Sequence, residues 1–136
     1  MKYMIMLYAS QRDFDNMAGQ GAHAWTPDDF AAMGAFMEKW NQQLVESGEF
    51  VDAHGLAAPV HTRRVGQRDG VPFVTDGPYP ETTEVLAGYT IVECDSFDRA
   101  TEIAARLGEC PVPDFAKASA YADIRPIVDG HDDLGL

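Results

Sequence analysis

Only two cysteines, Cys94 and Cys110, occur in this chain, and only ten basic side chains stand against 22 acidic ones. Two cysteines outside any paired-ligand spacing exclude a disulfide framework, and 136 residues can build a core without one. A single bridge between them stays open; reduced thiols in the cytoplasm are the expectation. The shortage of Lys and Arg leaves a formal charge of −12 and a pI near 4.4, which repels phosphate backbones and anionic lipid surfaces. Neither nucleic acid nor a membrane is expected as a direct partner. Long apolar runs are missing too. The opening MKYMIMLYAS meets Gln11, Arg12 and Asp13 before reaching the length of a signal-peptide core or a bilayer span. No GxSxG, GxxxxGK or GxGxxG occurs, which removes most support from hydrolase and nucleotide-enzyme readings. Of the four histidines, His23, His54, His61 and His131, the pair His54 and His61 stand seven apart across Pro59 with no cysteine or carboxylate at ligand spacing, which gives a metal site weak support. No metal and no cofactor is therefore expected.

What the chain does have is core material: 46% hydrophobic residues, with seven Phe, five Tyr and two Trp. Lys2 to Tyr8 is short and almost continuously apolar, the pattern of a buried central strand. Ala9 to Trp25 is polar and Gly-bearing and reads as a long loop, either a lid or a plain surface connection. Thr26-Pro27-Asp28-Asp29 then starts a helix, with an N-cap, a proline in the first turn and acids that suit the macrodipole. Phe30, Met33, Met37, Trp40 and Leu44 give it one apolar stripe until Ser47-Gly48 stops it. A short strand over Glu49–Ala53 leads into His54-Gly55-Leu56. Thr62 to Thr75 reads as a hairpin turning at Asp69-Gly70. Its Arg63, Arg64 and Arg68 either guard a sheet edge or form a small anion-docking patch.

Val85 to Cys94 is a β-branched strand whose Gly88 admits a close neighbour. Asp95 or Ser96 caps a second helix with Phe97, Ala100, Ile103, Ala104 and Leu107 on one face and Gly108 at its end. Cys110-Pro-Val-Pro113 is irregular, and Tyr121 to Val128 alternates as a half-buried strand does. The order is a βαββαβ plan with an inserted β-hairpin, an α+β ferredoxin-like sandwich over residues 1–128, followed by a short acidic tail, 129–136. Two helices cover one sheet face only, and the bare face predicts a homodimer.

Between hairpin and strand lies DGPYPETTE, Asp76 to Glu84. Gly77, Pro78 and Pro80 make it a specified loop. It is a rigid turn organised by Asp76, or a cleft wall in which Asp76, Glu81 or Glu84 faces a ligand. His54 and Asp76 are the candidate acid–base groups. Met37, Trp40 and Tyr89 are the candidate pocket walls beside His54.

The segment TDGPYPETTEVLAGYTIVECDSFDRATEIAARL closely resembles the hallmark of the DGPFAETKE proteins of the YCII-related superfamily, and MKYMIMLY, GEFVDAHGL and YADIRPIV resemble the family's edges. Tyr79, Pro80 and Thr83 depart mildly from the motif. The resemblance implies a small bacterial protein that pairs as a dimeric α/β barrel, and an accessory role beside an extracytoplasmic-function sigma factor. It also implies, for enzymes of the superfamily, a helix His and a later Asp; those positions fall at Met37 and near Cys110. Without them, a regulatory module binding an unidentified small molecule is one expectation. The other is an acid–base enzyme acting on a small aromatic or carbonyl compound, with His54 and Asp76 or Tyr89 as relocated catalysts.

Overall fold

The computed structural model describes residues 1–21, 23–76, 79–130 and 134. Among these the chain runs β1 (Lys2–Ala9), α1 (Gln11–Met17), α2 (Pro27–Ser47), β2 (Phe50–Gly55), β3 (Arg63–Arg68), β4 (Val71–Asp76), β5 (Val85–Glu93), α3 (Phe97–Ala105) and β6 (Ala122–Pro126). Four strands form an antiparallel sheet in the order β2-β5-β1-β6. With α2 and α3 crossing between strands, this is the ferredoxin-like α+β arrangement, and β1 sits inside the sheet as its apolar run requires.

The core lies between this sheet and the two long helices. Tyr3, Ile5 and Val92 from the strands meet Trp40 and Leu44 of α2 and Ala100, Ile103 and Ala104 of α3, all buried. Thr26 and Asp29 close a reciprocal capping box on α2, and Gly48 ends that helix in the left-handed conformation at φ 78°. Ser96 caps α3, which tightens into a 3₁₀ turn over Arg106–Glu109. Gly88 is tight for the reason its place in β5 suggests: a Cβ there would meet the His54 carbonyl oxygen at 3.1 Å.

Three expectations change. Residues 9 to 25 are not all loop, because α1 fills Gln11–Met17; Ser10 accepts from Asp13 N and Asp13 accepts from Ser10 N, another capping box. The α2 stripe is buried only at its C-terminal end, where Trp40 and Leu44 reach the core, while Phe30 stands half exposed. Strand β2 runs two residues beyond Ala53, so His54 is a strand residue with a defined face.

The hairpin forms as expected, with Asp69 and Gly70 both at positive φ, 53° and 78°. Among the described residues it pairs with no other strand and stands as a separate two-stranded sheet. On one of its faces Arg68 lies over Phe73 and Arg64 over Tyr79.

Candidate functional site

Strand register sorts the sheet's side chains to two faces. Tyr3, Ile5, Thr90 and Val92 point at the helices. The alternate residues form the other face: His54 opposite Tyr89, Tyr89 opposite Met6 and Met6 opposite Asp123 in one row. Asp52, Ile91, Met4 and Arg125 form the next. No described helix covers this face, and Met4, Met6, Tyr89 and Ile91 are only half-buried. At its β2 border His54 Nε2 lies 3.1 Å from Asp52 Oδ1 and the imidazole meets the Tyr89 ring edge-on, centroids 5.8 Å apart. A carboxylate two residues away on the same strand orients the imidazole.

The proposed pocket walls do not come together within one chain. Trp40 is 2% exposed and donates its Nε1–H to the Ile103 carbonyl between α2 and α3. Met37 packs against that same core. The sheet separates both from His54 and Tyr89, a division that helical spacing does not reveal. Cys110, near the position where the resemblance implies an Asp, is pushed up by burial, and so is Cys94. Both thiols are free and protonated near neutral pH, so neither takes over carboxylate chemistry.

The DGPYPETTE loop is fastened at three points. Thr83 N–H donates to the Pro80 carbonyl at 3.0 Å, closing a turn. Arg12 N–H donates to the Glu81 carbonyl at 3.0 Å, tying the loop to α1. Tyr121 donates its hydroxyl to Glu84 at 2.6 Å. That bond is the main reason the Tyr121 phenol is pushed up to about 12, and Tyr121 stacks on Tyr8, centroids 5.5 Å apart. Burial raises the Tyr8 phenol, helped by its bond to Asp123. Asp76 ends β4 exposed and its carboxylate makes no hydrogen bond among the described residues. The turn is organised by Pro80 and Thr83 instead. Gly77 and Pro78 lie outside the described residues, as does His131.

Two cavities flank these elements. One of about 120 Å³ is lined by Phe36, Lys39, Trp40, Gln43, Arg106 and Glu109. The other, about 330 Å³, opens between α1 and the DGPYPETTE loop. Neither reaches His54. Among the described residues no three His, Cys, Asp or Glu side chains are placed to hold a metal ion, and no helix is long and apolar enough to cross a membrane.

The fold and its uncovered face define an α+β protein of ferredoxin-like type. Residues 1–129 match the YCII-related domain, and the chain belongs to that family. It is similar to Uncharacterized protein R00369 of Rhizobium meliloti (strain 1021), 26% identical over 81 residues, which is 60% of this chain and 65% of that relative's length.

Proposed function

We propose that the chain acts as a homodimer whose helix-free sheet faces pack together and hold a small molecule between them, as an accessory or regulatory module. The observation that carries this is the uncovered row of Met4, Met6, Tyr89 and Ile91, bordered by Asp52, His54, Asp123 and Arg125. Apolar walls with a few convergent polar groups are what small-molecule sites offer. The link to a sigma-factor system is supported by the family resemblance alone.

A second reading is favoured by the His54–Asp52 contact beside Tyr89: acid–base catalysis on a small aromatic or carbonyl compound. Sedimentation equilibrium at tens of micromolar tests the dimer, and mass spectrometry of small molecules released from the purified protein tests the ligand. The expected results are a dimer that Ile91→Arg converts to monomer, and a bound compound lost with it. A native protein that stays monomeric overturns the proposal. Turnover of the released compound that His54→Ala abolishes would establish the second reading.

A further inference from the structure

Strand register carries the open face one row beyond His54 and Tyr89. Past Met6 in β1 comes Tyr8, opposite Leu86 of β5, and Tyr121, two residues before Asp123, stacks on it with ring centroids 5.5 Å apart and planes 22° from parallel. Side chains two residues apart on a strand share a face, so this row continues the one that no described helix covers. Tyr8 is half-buried and Tyr121 is 47% exposed. Contacts run on from the row toward His54: the Tyr8 hydroxyl lies 3.8 Å from Met6 Sδ, Met6 pairs with Tyr89, and Tyr89 meets the imidazole edge-on.

Both phenols are held by carboxylates. Tyr121 donates to Glu84 Oε2 at 2.6 Å, and the Tyr8 hydroxyl is bonded to Asp123. Glu84 is in turn aimed by the motif that it closes, because the Pro80–Thr83 turn and the Arg12 bond to the Glu81 carbonyl fix the residues just ahead of it. A phenol has one proton to donate. With both protons given to carboxylates, what the row turns outward is ring surface and acceptors: two phenol oxygens and the carboxylates behind them. Arg125 stands two rows off, beside Met4.

We propose that Tyr8, Leu86 and Tyr121 form the selective end of the open-face site, that this end takes an aromatic ring carrying an amine, and that Glu84 is its positioning residue. The proposal rests on the face-to-face dimer reading above. The ligand ring lies against Tyr8 and Leu86, and its ammonium donates to the phenol oxygens, drawn also by the ring faces and the carboxylates. An aromatic acid would bring its carboxylate against acceptors only, and is rejected. The DGPYPETTE motif thus acts on the ligand through Tyr121, without touching it.

Three probes that keep the ring and change the charge test this: benzylamine, benzyl alcohol and benzoate, each titrated calorimetrically into the full chain. Benzylamine should bind about tenfold or more tightly than benzoate, with benzyl alcohol between them. Glu84→Ala should weaken benzylamine about fivefold or more, and Glu84→Gln, which keeps an acceptor for Tyr121, should restore most of the loss. Glu38→Ala removes the same charge from the exposed side of α2 and should change nothing. Ring signals of Tyr8 and Tyr121 in ¹³C-correlated spectra should shift on adding benzylamine. The proposal is overturned if no probe binds at millimolar concentration, if benzoate binds as well as benzylamine, or if Glu84→Ala binds like the native chain. It is overturned too if Glu84→Gln is no better than Glu84→Ala, since charge attraction and not position would then be at work. Sedimentation of the same samples separates the two readings: a monomeric native protein sinks the dimer, whereas a dimer with any of these binding results sinks this proposal alone.

Discussion

Glu49 shows how much one residue between elements contributes. Arg99 donates to both of its oxygens, at 2.7 and 2.8 Å, and Ser47 adds a third bond, holding the carboxyl down at about 2 from its ordinary 4.5. The folded pKa is depressed, so the stabilisation is complete above about pH 4.5 and lost as pH falls through 2. Glu49→Gln should therefore be less stable by about 1–2 kcal/mol at pH 7, and urea melts of the two proteins should converge toward pH 2. Trp40 belongs to the same scale. Buried and bonded to Ile103 O, it should cost about 3–5 kcal/mol when replaced by Ala. Asp76 is the contrast. Exposed, with a carboxylate free of hydrogen bonds among the described residues, it should change stability by no more than about 0.5 kcal/mol in Asp76→Ala. A loss above 1 kcal/mol, on the scale of a lost buried acceptor, would restore it as the turn's anchor.

Among the elements, α1 and the hairpin behave oppositely. Helix α1 has no apolar stripe, its only buried residue being Asn16, so hydrophobic periodicity misses it. The available signal was local, Ser10-x-x-Asp13 before the helix. The hairpin was fully legible, because Asp69-Gly70 is a turn chemistry that acts without tertiary help. Among the described residues its strands pair only with each other, and such a hairpin is marginal alone. Replacing Asp69 and Gly70 by Ala-Ala should thus abolish hydrogen-exchange protection over residues 63–76. The melting temperature should stay within about 2 °C. A large drop would show that the hairpin is packed in solution against something the single chain does not contain.

At the scale of the whole molecule, charge and uncovered surface oppose each other. Two copies at −12 each would repel, while burial of the face of Met4, Met6, Tyr89 and Ile91 in the proposed dimer would oppose that repulsion. If the faces pair, raising salt from 20 to 300 mM shortens the Debye length from about 20 Å to about 6 Å and should tighten the dimer. Sedimentation equilibrium at the two salt levels checks the direction; a dimer weakened by salt would place charge attraction, not apolar contact, at its centre.

The amino-acid order was sufficient for the elements whose signals are local or periodic: the β1 run, the capping box and Gly48 of α2, the Asp69-Gly70 turn and the βαββαβ order that defines the sheet. These depend on backbone preference and side-chain spacing within a few residues of each other. It also carried Gly88, since a strand glycine marks close approach, here of the His54 carbonyl. The partners of the candidate site were decided only in three dimensions. Trp40 and Tyr89 look equally available in the chain, yet the sheet puts one in the core and the other on the open face beside His54. Arg12, Asn16 and Glu81 share a cavity although the first and last are far apart in sequence. Which face a strand residue takes, and what meets it there, follows from pairing register and helix placement. Those are properties of distant segments packing together, and no local pattern encodes them.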